Sequence, residues 1–144
     1  MTLNQISVFV ENNPGKMQLL TQVLADHNVD MRALSLAETT DFGIVRIIVD
    51  DAYAASTLLK EAGFIHSITK VLGVAIPDQP GGLNTVLTAL SGAGINVEYM
   101  YAFFSSKIAN HACMIFHVQD AKAAVAALAS KGISCITQED LMKL

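Results

Sequence analysis

Glu11-Asn-Asn-Pro-Gly-Lys-Met17 recurs further along the chain as Pro77-Asp-Gln-Pro-Gly-Gly-Leu83, with Pro14 and Pro80 66 residues apart. At the same spacing Leu24 matches Leu90, Val29 matches Ile95, and Asp30 matches Asn96. Further on, Asp51-Ala52 matches Asp120-Ala121 and Gly63 matches Gly132, now 69 residues apart. Self-similarity at a fixed period marks a repeated structural unit. The second copy is therefore about three residues longer, and the polar stretch Ser105–Asn110 is where the extra length falls, as a hairpin loop should. The copies divide the chain into 1–71 and 72–144.

Working outward, each copy reads strand, helix, strand, strand, helix, strand. Ile6–Val10 is rich in β-formers. Pro14 to His27 places Met17, Leu20, Val23 and Leu24 on one helical face. Asn28 stops that helix, Val29–Thr39 is extended, Asp41-Phe-Gly43 signals a turn, and Ile44–Val49 is a second β-rich run. Asp50 and Asp51 cap a helix through Glu61 with Ala55, Leu58 and Leu59 inward, and Gly63 ends it. In the second copy Pro80–Ala93 carries Leu83, Val86, Leu87 and Leu90. Asp120 caps Ala121–Ser130, with Val125, Leu128 and Ala129 inward.

The order β-α-β-β-α-β is the ferredoxin-like unit. The fold class is therefore α+β: two tandem units, each a four-stranded antiparallel sheet with two helices on one face. Repeat alignment of Val45 with Met114, and of Ile47 with Phe116, puts these four on the helix-packed face. The opposite faces are mixed rather than polar, which predicts partial cover. Units of ~70 residues are individually marginal, so packing against each other and against a second chain is expected.

Composition bounds the function. The 144 residues are 52% apolar and 15% charged, with a net charge of −4. Mean hydropathy is +0.44. A chain this apolar folds, and its acidic balance disfavours nucleic acid. No apolar run approaches the ~18 residues of a membrane span, and no secretory signal is visible. A cytoplasmic location is the expectation. Cys113 and Cys135 read as two buried reduced thiols.

Chemistry concentrates at the loop before each first helix. Proline suits a first helical turn, Asn12, Asn13 and Asp78 can cap its amides, and Gly15, Gly81 and Gly82 let a small molecule approach the backbone. A helix start favours a carboxylate. The second strand is expected to begin beside it, with Asp30 or Asn96 available for an ammonium group. The same residues also make good strand-to-helix turns and nothing more, and local spacing does not separate the two readings.

The pattern Asn12-x-Pro14-Gly15-x-Met17 with Asn28-Val-Asp-Met31, repeated as Asp78-x-Pro80-Gly81-x-Leu83 with Gly94-Ile-Asn-Val97, resembles the ACT domain in tandem over nearly the whole chain. The resemblance implies a regulatory module that binds an amino acid, works as a homodimer or on a metabolic enzyme, and is not itself an enzyme. It places ligand contacts at Asn12, Asn13, Pro14, Gly15, Lys16 and Met17, at Asp78, Gln79, Pro80, Gly81, Gly82 and Leu83, and across an interface at Asp30 or Asn96. No cofactor is implied. The alternatives are a ligand-free assembly module of the same fold and a small enzyme.

Other constellations are weaker. His111, Cys113 and His117 share one strand face, but at roughly 3.4 Å per residue the two histidines lie about 20 Å apart, too far for one ion. No metal site is expected. Tyr99, Tyr101 and Phe103 alternate along one strand, where packing or the border of a ligand would explain them. His27 reads as a helix-end residue and His66 as a strand residue. No catalytic motif is present.

Overall fold

The computed structural model describes residues 1–104 and 110–144. Contacts divide the chain into a unit of Asn4–Thr69 and a unit of Lys70–Leu144 together with Met1–Leu3. The extra hairpin length expected near Ser105–Asn110 lies outside the described residues, apart from Asn110.

In the N-terminal unit β1 (Leu3–Glu11), β2 (Met31–Glu38), β3 (Phe42–Val49) and β4 (Ile65–Pro77) lie in the order β2-β3-β1-β4. β1 and β2 both pair antiparallel with β3, in registers that include Val8 opposite Val45 and Leu36 opposite Val45. The helices α1 (Lys16–Asp26) and α2 (Ala52–Glu61) follow β1 and β3. Alternation along the strands sends Ile6, Val8, Val10, Val45, Ile47 and Val49 to one face, where they meet Leu20, Leu24, Ala55 and Leu59. Asp51 caps α2 by accepting from the Ala54 amide at 3.0 Å. Asn28 and Gly63 leave the two helices in left-handed conformation, at φ 56° and 84°.

β4 runs 13 residues and passes from one unit into the other, ending the first sheet and opening the second. In the C-terminal unit β5 (Tyr99–Ala102), β6 (His111–His117) and β7 (Cys135–Ile136) give the order β5-β6-β4-β7, with α3 (Gly82–Gly92) and α4 (Ala121–Ala129) between them. β6 pairs antiparallel with β4 and β5, and β7 pairs antiparallel with β4. Phe116, Val118, Val86, Leu90, Ala124 and Leu128 form this core, with Met114 packed on it. Both sheets thus turn the faces expected from the repeat toward their helices.

Four details differ from the sequence reading. α1 and α3 start at Lys16 and Gly82, because Gly15 and Gly81 stand at the N-cap in left-handed conformation, so Pro14 and Pro80 precede the helices. Ala124 is buried in α4 and Ala129 is exposed, since the inward stripe runs Ala121, Ala124, Val125, Leu128 at helical spacing. β7 is only two residues long. It is followed by a helix the repeat does not contain, α5 (Gln138–Lys143).

α5 explains part of the cover on the second sheet's other face, where Leu144 packs with Cys113, Ile136 and Ala75. Both cysteines are buried, and no disulfide joins them. Cys135 belongs to the helix-side core and Cys113 to the opposite cluster, so the sheet lies between the two thiols. Burial raises the Cys135 thiol above its ordinary pKa.

Candidate functional site

The two loops that open α1 and α3 are the same structure bond for bond. The Asn13 amide donates to the Glu11 carbonyl at 2.9 Å and the Lys16 amide to the Asn13 carbonyl at 3.3 Å. Their counterparts are Gln79 to Pro77 at 2.9 Å and Gly82 to Gln79 at 3.0 Å. The Asn12 amide reaches the Asp41 carbonyl at 2.9 Å, and the Asp78 amide reaches that of Asn110 at 2.8 Å. Gly15 and Gly81 both sit at φ 86°, a conformation that costs other residues about 1–2 kcal/mol.

Neither α1 nor α3 has a side-chain cap. The contrast within the chain is direct, because α2 and α4 are both capped by aspartate. Asn12 and Asn13 therefore do not cap α1 as expected. A capping side chain belongs to the N-cap residue, and here that residue is glycine. The Asn12 side-chain amide donates instead to the Thr39 carbonyl at 3.0 Å and the Thr40 carbonyl at 3.4 Å, tying the loop to the β2–β3 turn. Asn13 donates to the Glu11 carboxylate at 3.1 Å. Asp78, Gln79 and Pro80 are exposed, while Leu83 packs on the C-terminal core and Met17 on the N-terminal one.

The three loop glycines do different work. No heavy atom lies within 4 Å of where a Cβ would stand on Gly15 or Gly81. A Cβ on Gly82 would meet the Pro77 carbonyl oxygen, so that glycine makes room for the loop's own backbone.

A cavity of about 110 Å³ opens on the first loop between Asn12, Asn13, Gly15, Lys16 and Met17, with Leu36, Glu38 and Gly43 opposite. The sequence reading missed these last three. Antiparallel pairing of β2 with β3 brings the end of β2 to the loop, and the register of Glu38 with Gly43 carries that information. The start of β2 is not beside the loop, contrary to expectation. α1 spans 11 residues, or about 16 Å at 1.5 Å per residue, and leaves Asp30 beyond its far end. Asn96 stands in the same place after α3. Within one unit neither residue meets the loop that precedes its helix.

Asp30 is exposed, 4.0 Å from the Arg32 guanidinium. That guanidinium already forks onto Asp50, with Nε donating at 2.9 Å and Nη2 at 3.2 Å. The hydrogen bond to Asp50 raises the Arg32 pKa above its ordinary value.

Elsewhere Tyr99 and three histidines are engaged by neighbouring groups. Tyr99 stacks on His117 with centroids 4.8 Å apart and on Tyr101 at 6.5 Å. His117 Nδ1 lies 3.4 Å from Glu98 Oε1. His66 is held between the Ser56 hydroxyl at 2.6 Å and the Phe64 carbonyl at 2.9 Å. His27 caps the end of α1, its ring meeting the Val23 carbonyl at 2.9 Å. Among the described residues no three His, Cys, Asp or Glu side chains gather as metal ligands, and no helix is long and apolar enough to cross a membrane.

Two βαββαβ units, opening on matched, uncapped, glycine-led helices, set the comparison with known proteins. The family model of the ACT domain pair matches residues 1–144. The chain belongs to the ACT domain-pair family. This ACT pair is similar to a Bacteroides thetaiotaomicron protein of known crystal structure, at 38% identity and a TM-score of 0.91, over 100% of this chain and 98% of that one. It shares its fold with the ligand-free regulatory subunit of aspartate kinase from Thermus thermophilus, at 18% identity and a TM-score of 0.62, over 88% of this chain and 90% of that one. The corresponding Thermus flavus subunit gives 15% identity and 0.60, with the same coverage. No curated protein sequence matches the ACT pair significantly.

Proposed function

We propose that this ACT pair is a regulatory module, not an enzyme, that binds an amino acid at the loops opening α1 and α3. It works in the cytoplasm as a homodimer built from units 1–71 and 72–144, and it acts on an enzyme of amino-acid metabolism. The observation that carries the reading is the pairing of two features at each loop. Main-chain amides stand at a helix start with no side chain over them, and a left-handed glycine has open space beside it. Such amides and the helix dipole suit a carboxylate. Asn12, Asn13, Pro14, Gly15, Lys16 and Met17 would form one site, and Asp78, Gln79, Pro80, Gly81, Gly82 and Leu83 the other. Asp30 or Asn96, free of its own unit's loop, would receive the ammonium group from a neighbouring unit.

The mechanism is linkage. A ligand held between units favours one arrangement of them by its differential affinity. A single measurement favours the alternative of a ligand-free assembly module: the cavity at the first loop is about 110 Å³, below the 300–1,000 Å³ typical of small-molecule sites.

Thermal shift against the twenty amino acids separates the two. Ligand at a hundred times Kd adds about 2.7 kcal/mol of stability. A shift with one or a few amino acids, lost in Gly15→Val or Gly81→Val and kept in Gly132→Val, supports the sensor. Gly132 has the same left-handed strain at φ 74°, away from both loops. No shift with any amino acid overturns it in favour of assembly.

A further inference from the structure

Four large apolar side chains that remain exposed lie in one place. Phe9, Leu19, Phe42 and Ile65 are 47, 51, 54 and 74% exposed. They line one groove of about 340 Å³ in the N-terminal unit, together with Glu11 and Lys16.

The repeat shows how the other unit treats the same positions. Ala75, Thr85, His111 and Ser134 stand where Phe9, Leu19, Phe42 and Ile65 stand, and Pro77 and Gly82 replace Glu11 and Lys16. There only Ala75 is covered, by Leu144 at the end of α5, while Thr85, His111 and Ser134 are exposed but polar. The N-terminal unit has no counterpart of α5, because β4 continues as a strand from Ile65 to Pro77. The unit without a covering helix is the one that keeps the large apolar side chains and both charges.

We propose that this groove is covered by the same groove of a second copy of the chain. A two-fold interface sets a patch against itself and so requires self-complementarity. Glu11 and Lys16 provide it, since opposite charges beside one apolar centre exchange partners across a two-fold axis. Lys16 has no ion-pair partner among the described residues. A strongly acidic or strongly basic partner would set a like charge against one of the two.

The inference rests on the homodimer part of the reading above, and sedimentation equilibrium of the full chain tests them apart. Wild type is expected to be dimeric at micromolar concentration. Phe42→Asp and Ile65→Asp should each weaken the dimer at least tenfold, whereas Tyr53→Asp, on α2 away from the groove, should not. Lys16→Glu and Glu11→Lys should each weaken it, and the double reversal should restore it. Thermal melts of each variant establish that it is folded. A monomeric wild type overturns both the dimer and the face. A dimer indifferent to Phe42→Asp and Ile65→Asp overturns the face alone, and a double reversal as weak as the single ones overturns the self-paired arrangement.

Discussion

At Gly82 a missing methyl group decides the shape of the second loop. A Cβ there would overlap the Pro77 carbonyl oxygen, which is also the acceptor for the Gln79 amide. That oxygen is backbone and cannot swing aside, so Gly82→Ala should cost about 1–3 kcal/mol, the usual range for overpacking. Ten residues on, Gly92 closes α3, and a Cβ added there would have nothing within 4 Å. Gly92→Ala should stabilise by about 0.5–1 kcal/mol through helix propensity alone. Urea unfolding checks both, as opposite shifts in midpoint at an unchanged slope. The pair also shows why the candidate site was only half legible in the sequence. The letter G at 81 stands for a left-handed turn, at 82 for a close approach, and at 92 for neither. Beside Gly15 and Gly81 the space is open, whereas the room left by Gly82 is filled by the loop's own backbone, a difference that the letter alone does not carry.

Elements with a strong period were legible for a plain reason: burial imposes the period. Val45, Ile47 and Val49 alternate because one sheet face meets α1 and α2, and Leu20 and Leu24 are one turn apart because one stripe of α1 faces that sheet. α5 shows the converse. Six residues are too few for a helix to hold by itself, and the first copy offers no counterpart to compare. Its signal is a capping box: Thr137 accepts from the Asp140 amide at 3.1 Å while the Asp140 carboxylate accepts from the Thr137 amide at 3.0 Å. Leu141, fully buried, anchors the turn. Thr137→Ala should lower stability by about 0.5–2 kcal/mol. The cap is also pH-dependent. Hydrogen bonds from Thr137, the backbone one foremost, hold the Asp140 carboxyl below its ordinary pKa. The folded state thus favours the ionised form. This contribution is complete above the ordinary aspartate pKa and is lost as pH falls through the lower folded value. Amide exchange of Leu141–Leu144 should accelerate across that acid window in wild type, and Asp140→Asn should flatten the dependence.

At the scale of the whole molecule, a repeat reveals which residues are alike and carries no information on which residues touch. Met1–Leu3 group by contact with Lys70–Leu144, at the opposite end of the chain. Leu3 is fully buried, and its Cδ1 stands 2.7 Å from where a Cβ on Gly73 would be. Gly73 in turn pairs with Ile115 in β6 and Ile136 in β7, so Leu3 rests on the middle of the second sheet. Leu3→Ala should therefore cost about 2–5 kcal/mol, the range for emptying a buried leucine site, and the loss should be felt at a distance in sequence. Hydrogen exchange should lose protection first in residues 70–77, β6 and β7, before β2 and β3. Gly73→Ala alone should also destabilise, by driving a methyl group into the Leu3 side chain. Combined, the two changes put the new methyl into the space the leucine vacates. The double variant should thus lose less than the sum of the single ones, by at least about 0.5 kcal/mol of coupling. Strict additivity, or an early loss of protection in β2 and β3, would mean that the first three residues stabilise the unit they adjoin in sequence, not the one they touch.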